Sequence, residues 1–325
     1  MRTQDKFNWE GYNSINTVIN ILKEDFMRII SYLNEKSVPV LAALTNEGRI
    51  YSLPQKDFFE LAQQAKDHDT SLLHFVESAI YALDPISQSL DKLSLLVPIE
   101  APEVWAAGVT YERSRDARNF ESIDGINGLT TVYDKVYDAK RPEIFLKSTA
   151  ARTVGPNDKL YLRSDSKWQI PEPELGLVIN SEGEILGYTI GNDLSCRDIE
   201  GENPLYLPQA KIWRNSCSIG PAILLSEAVR DPYQFEITCR IYRNGDKVVE
   251  GSANTRQLKR KFDELISYLL KDNQIFNGTV LLTGTCIVPP NEFTLADGDQ
   301  IEIDISDIGV LQNTVHLAKN VVHNS

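Results

Sequence analysis

The hydrophobic residues of this chain change period near residue 103, and that change limits the folds open to it. Upstream, Ile15, Val18, Ile19, Leu22, Phe26, Ile29, Ile30 and Leu33 form a stripe at helical spacing over residues 14–34. A short apolar run from Val38 to Leu44 ends in the turn Asn46-Glu47-Gly48, and two more helical patterns span residues 56–65 and 71–83. The first 98 residues therefore read as a mostly helical accessory domain. Val97-Pro98-Ile99-Glu100-Ala101-Pro102 reads as the linker to a second domain, residues 99–325.

Downstream, short apolar runs replace the stripes. Strands are predicted at 104–109, 144–147, 160–162, 175–180, 185–190, 235–242, 247–249, 280–283, 301–305 and 309–315. Ser181-Glu182-Gly183-Glu184 joins two of them as a hairpin, and Asn244-Gly245-Asp246 joins another two. The charged segment 112–121 reads as an exposed helix. Residues 256–271 read as an amphipathic one, with Leu258, Phe262, Leu265, Ile266 and Leu269 on one face. This second part is α+β, with strands dominating.

Charge and histidine usage narrow the chemistry. Lys and Arg number 33 against 46 Asp and Glu, a net charge of −13. That balance argues against nucleic acid or an anionic membrane as partner. No apolar run nears the roughly 18 residues of a membrane span, and no apolar stretch follows the N-terminal Arg, so a cytoplasmic protein is expected. The cysteines at 196, 217, 239 and 286 form no C-x-x-C pair and read as reduced thiols. The four histidines (68, 74, 316, 323) all lie outside residues 75–315. A metal in that stretch must be held mainly by oxygen, and should be a hard ion.

In Pro171-Glu172-Pro173-Glu174, two carboxylates two residues apart project to one side of an extended segment. The prolines place that segment at an edge or at an irregular strand end. Such a pair is either a solvated edge or a site where a cation relieves the repulsion. The strand that Glu174 opens turns at 181–184 and returns as Tyr188-Thr189-Ile190-Gly191-Asn192-Asp193, bringing Asp193 back to the two glutamates. Three converging carboxylates without histidine describe an oxygen-only site for a divalent cation.

These segments, with Lys211, Ile219-Gly220-Pro221 and Thr283-Gly284-Thr285, resemble the fumarylacetoacetate hydrolase superfamily over residues 103–320. The resemblance implies a mixed β-roll and makes Glu172, Glu174 and Asp193 the ligands of a catalytic divalent ion. Magnesium is expected, with manganese or calcium as alternatives. It also implies pairing through the β-domain into a homodimer or homotetramer.

Hydrolases of the superfamily carry a His and a Glu in Y-x-x-H-x-x-E, where this chain has Ser114 and Ala117. Residues 135–147 and 197–211 instead resemble the branch typified by 2-keto-3-deoxy-D-arabinonate dehydratase. That resemblance implies that Glu143 and Lys211 flank the metal as the proton-transferring pair, and that Thr285 meets a substrate carboxylate. Taken without it, Glu143 reads as a surface carboxylate beside Arg141 and Lys211 as a solvated loop lysine. Lys147 and Arg197 suit either an anion contact or a structural ion pair.

A 2-keto acid chelates a hard cation through its carboxylate and keto oxygens, and elimination of water needs one acid and one base. The expected activity is dehydration of a 2-keto-3-deoxy sugar acid. The alternatives are a metal-dependent hydrolase of acylpyruvate-type C–C bonds, which would need another base, and a sugar-acid binding protein.

Overall fold

A computed structural model describes residues 27–121 and 132–318 of the chain. The first segment forms β1 (Arg28–Leu33), β2 (Pro39–Leu44), β3 (Ile50–Ser52), helices α1 (Phe58–Asp67) and α2 (Leu72–Tyr81), and the short β4 (Ser94–Leu95). Next come β5 (Glu103–Gly108), α3 (Glu112–Glu121), α4 (Val132–Asp138), β6 (Glu143–Thr149), β7 (Thr153–Val154), β8 (Lys159–Leu162) and β9 (Gln169–Ile170). The central hairpin is β10 (Pro173–Ile179) and β11 (Ile185–Asp193). It leads through β12 (Ser195–Cys196), α5 (Arg197–Glu202) and α6 (Leu207–Lys211) into β13 (Cys217–Leu225). The described residues continue with β14 (Glu236–Arg243), β15 (Asp246–Asn254), α7 (Phe262–Leu269), β16 (Thr279–Leu282), β17 (Gln300–Ile305) and β18 (Gly309–Leu317).

An eleven-stranded mixed sheet runs β3-β2-β1-β13-β11-β10-β16-β5-β6, with β4 on β1 and β7 on β13. A five-stranded sheet, β15-β14-β17-β18-β8, packs against one of its faces. Leu175, Leu177, Ile190, Ile237, Ile241, Ile303 and Leu311 fill the space between the sheets, together with Phe262, Leu265 and Leu269 of α7. The opposite face of the large sheet presents Val178, Ile219, Val280 and Leu282 to Phe58 and Leu61 of α1 and to Phe75 and Val76 of α2.

The first segment departs from its helical expectation. Residues 28–33 of the stripe are a strand, paired with β2 on one side and with β13 on the other; residues 14–26 lie outside the described residues. Ile29 packs toward α1 and α2, whereas Ile30 joins a separate cluster with Ala42, Leu44 and Ile50. A strand buried on both faces loses the polar alternation that marks a strand, so its apolar residues imitate helical spacing. The linker is packed too: Ile99 and Ala101 are buried. The predicted 256–271 helix is shorter, because residues 255–257 form a 3-10 turn capped by Asn254 and the Lys259 N–H donates to the Thr110 carbonyl.

Candidate metal and proton-transfer site

The two strands of the central hairpin meet at their open end. Pro173 pairs with Asn192 and Glu174 with Gly191, and the Asp193 N–H donates to the Glu172 carbonyl at 3.0 Å. That register puts Glu172, Glu174 and Asp193 on one face, with ligand oxygens all within 4.8 Å of one another. The prolines do not mark an edge. β10 lies inside the sheet between β11 and β16, and its ladder to β16 begins only at Gly176, so neither ring interrupts it. The solvated-edge alternative is also set aside: Glu172, Glu174 and Asp193 are 3%, 2% and 0% exposed.

Three buried cations answer these carboxylates. Arg197 Nη2 lies 2.7 Å from Glu172 Oε1, and Lys211 Nζ lies 2.5 Å from Glu172 Oε2 and 3.3 Å from Asp193 Oδ2. Lys147 Nζ is 2.8 Å from Asp193 Oδ1 and donates to the carbonyls of Leu194 (2.7 Å) and Lys211 (2.5 Å). Lys147 owes its aim to a slip in register. Val104 pairs with Ser148 and Trp105 with Leu146, so Lys147 is the extra residue of β6, and a bulge of this kind redirects a side chain. Lys211 has not the open surroundings of a loop lysine. It is fully buried at the end of α6, donates to Ser195 Oγ at 2.6 Å, and lies 5.5 Å from the Phe145 ring centroid.

Glu174 differs from its neighbours. It accepts the Gly284 N–H at 2.6 Å, and Gly284 (φ +97°) sits so close to Thr110 Oγ1 that a Cβ there would be 1.9 Å away. Burial, and then the negative charges of Asp193 and Glu172, raise the Glu174 carboxyl well above its ordinary range, with the Gly284 amide and Lys211 opposing them. Both oxygens of Asp193 are buried without an aligned hydrogen bond, although Lys147 and Lys211 stand within ion-pair distance. Lone pairs in that state, beside a carboxylate that resists ionisation, suit a hard divalent cation.

Glu143 opens β6 opposite Gly108, and its carboxylate lies where a Cβ on Gly108 would come within 2.1 Å of Oε2. It lines a cavity of about 250 Å³ whose wall also includes Val136, Arg141, Glu200 and Leu207. Glu200 is the residue that sequence reasoning left unassigned. It is 1% exposed, with Oε1 3.1 Å from Lys211 Nζ and Oε2 3.9 Å from Arg197 Nε. Its three-residue spacing from Arg197 on α5 was the available signal. Thr285 is buried, and its hydroxyl both donates to and accepts from the Ile287 backbone. Ser114, in the place of the hydrolase histidine, donates to the Tyr111 carbonyl at 3.0 Å.

Comparisons with known proteins identify the family. Residues 117–316 match the fumarylacetoacetate hydrolase C-terminal family. The chain is 47% identical over 235 residues to the 2-dehydro-3-deoxy-D-arabinonate dehydratase of Saccharolobus solfataricus, covering 72% of this chain and 78% of that protein. It is 44% identical over 276 residues to a probable 2-keto-3-deoxyxylonate dehydratase of Haloferax volcanii, covering 83% and 93%. Among solved structures, 2-keto-3-deoxy-D-arabinonate dehydratase complexed with magnesium and 2,5-dioxopentanoate superposes with a TM-score of 0.75 at 38% identity, over 91% of this chain and 99% of that one. With the family model covering most of the strand-rich part and the relatives extending beyond it, this chain belongs to the fumarylacetoacetate hydrolase family.

Proposed function

We propose that this protein is a magnesium-dependent hydro-lyase that dehydrates a 2-keto-3-deoxypentonate to 2,5-dioxopentanoate. The observation that carries the reading is the direct contact of Lys211 with two of the three clustered carboxylates, and with Glu200 of the cavity that Glu143 also lines. The names of the two relatives support it, as does the magnesium-bound neighbour. Glu172, Glu174 and Asp193 would hold the ion, which supplies a Lewis acid for the substrate's carboxylate and keto oxygens when bound.

The reaction removes a proton from C3 and hydroxide from C4, leaving a C3–C4 double bond. Proton transfers from C5 and its hydroxyl to C3 and C4 then give the aldehyde, so the net change is one water lost. Glu143 and Lys211 are the pair we assign to these transfers. Arg197 and Lys147 orient Glu172 and Asp193, since their charged ends are already committed to those carboxylates. Thr285, next to the Gly284 amide on Glu174, is assigned to the substrate carboxylate. Ser114, held on the Tyr111 carbonyl just before α3, offers no base for hydrolysis.

Incubating purified protein and Mg²⁺ with 2-keto-3-deoxypentonates and with an acylpyruvate tests the reading. We expect 2,5-dioxopentanoate from the former and no pyruvate from the latter. Pyruvate release would transfer the assignment to a hydrolase. The pairing into a dimer or tetramer is checked by light scattering; a monomer mass at micromolar concentration would count against it.

A further inference from the structure

The charges buried around the triad do not balance. Glu172, Glu174, Asp193 and Glu200 supply four carboxylates, and Lys147, Arg197 and Lys211 supply three cations. The surplus is one negative charge. A divalent cation turns that into one positive charge, and Glu143 on the cavity side offsets it. Every substrate carboxylate beyond the one that the ion binds therefore adds uncompensated negative charge.

The place where a second carboxylate would fall is also defined. Lys211 links the triad to Glu200, and Glu200 shares the cavity wall with Glu143. A substrate held at the triad and extending past Lys211 meets Glu200 first, and the cavity beyond it carries a second carboxylate, Glu143. Arg141 lines the same cavity, but it is exposed and its guanidinium lies 5.2 Å from the centroid of the Tyr268 ring. Carboxylates accept hydrogen bonds from hydroxyls and repel another carboxylate.

We infer that Glu200 is a specificity-determining residue, admitting 2-keto acids with a neutral, hydroxyl-bearing tail and rejecting 2-keto diacids. This rests on the triad being the 2-keto acid site proposed above. Rejection is the more informative half, because selectivity between near-isosteric ligands is often set by a repulsive group.

Three five-carbon probes that cannot lose a C4 hydroxyl test this by calorimetric titration of the magnesium-loaded protein: 5-hydroxy-2-oxopentanoate, 2-oxopentanoate and 2-oxoglutarate. Affinity should fall in that order, with 2-oxoglutarate at least about 30-fold weaker than 2-oxopentanoate. In Glu200→Gln, that gap should shrink to about threefold or less while magnesium affinity is retained. Equal binding of 2-oxoglutarate and 2-oxopentanoate to the wild-type protein overturns the inference, and so does an undiminished gap in Glu200→Gln. If the variant fails to fold, the wild-type order alone decides. Dehydration of a 2-keto-3-deoxypentonate is measured separately. A protein that shows the binding order without dehydrating would lose the proposed reaction and keep the role of Glu200; one that dehydrates but binds 2-oxoglutarate tightly would do the reverse. Failure of all three probes to bind overturns both.

Discussion

The two ends of the β10–β11 hairpin are built on opposite terms. At the closed end, Asn180 satisfies most of the turn: its Oδ1 accepts the N–H groups of Glu182 and Glu184, and its Nδ2 donates to the Glu184 carboxylate. These partners of Asn180 lie within four residues, and the Ser181 N–H donates to Asn277 Oδ1 from outside the hairpin. At the open end, the same two strands deliver three carboxylates that no local group can neutralise. Their partners come from β6, α5, α6 and the segment after β16, and Lys147 lies 46 residues from Asp193 in sequence. The closed end is stable because its polar groups are satisfied. The open end is stable only as a whole, which is what a site for an external cation requires.

Breaking the open end should have the largest effect. Alanine at Glu172, Glu174 or Asp193 should abolish magnesium binding and turnover, while circular dichroism stays near wild type. Magnesium affinity that survives in Glu174→Ala would remove that residue from the ligand set. Next come Glu143→Gln and Lys211→Met, each expected to lower kcat about a hundred- to ten-thousandfold with the ion still bound. If Lys211 only holds the substrate, KM rises and kcat stays. Solvent exchange of a C3 deuterium should disappear with whichever residue is the base.

Lys147→Met strips a cation from a fully buried carboxylate. It should lower stability by about 3–5 kcal/mol in denaturant titrations without magnesium, and by less when magnesium is present. Stability unchanged in the metal-free protein would show that the Lys147 ion pair is dispensable.

The raised Glu174 carboxyl sets a pH dependence whose sign differs between the metal-free and metal-bound protein. A carboxyl raised above its ordinary 4.5 favours the metal-free fold fully below that pH, and this contribution is lost as pH rises through the folded value. Cation binding needs the carboxylate, so magnesium affinity rises over the same interval and each ion bound releases protons. Melting temperatures measured from about pH 5 to about pH 8 should therefore show magnesium stabilising the protein more as pH increases. A pH-independent magnesium shift would contradict this. The smallest effect belongs to the closed end: Asn180→Ala should cost about 1–2 kcal/mol of stability and leave kcat unchanged.

Much of the hairpin was legible in advance because its signals are local. The apolar run after Glu174, the turn at 181–184 and the return to Asp193 set the register, and register alone places three carboxylates on one face. The segment Asn192-Asp193-Leu194-Ser195-Cys196-Arg197-Asp198 also acquires a physical account. The Asn192 side chain accepts the Glu172 N–H, Ser195 links Lys211 to the Asp193 carbonyl, and Arg197 holds Glu172. Asp198 secures the loop at Ser166 and Lys167. The β1 strand was misread because burial on both faces erases the period that separates strand from helix.

By itself, then, the sequence determined many strands of the second part, its two hairpins and the oxygen-only triad, but not the central β13, since alternation along a strand and the chemistry of a turn act over a few residues. Tertiary structure alone decided which charges answer that triad. The bulge that aims Lys147, the burial that turns a loop lysine into the partner of Glu172 and Glu200, and the bare Gly108 that admits Glu143 all depend on strands far apart in the chain. The reason is electrostatic. A buried charge is tolerated only if every neighbour in a low-dielectric space compensates it, and those neighbours are selected by packing rather than by sequence distance.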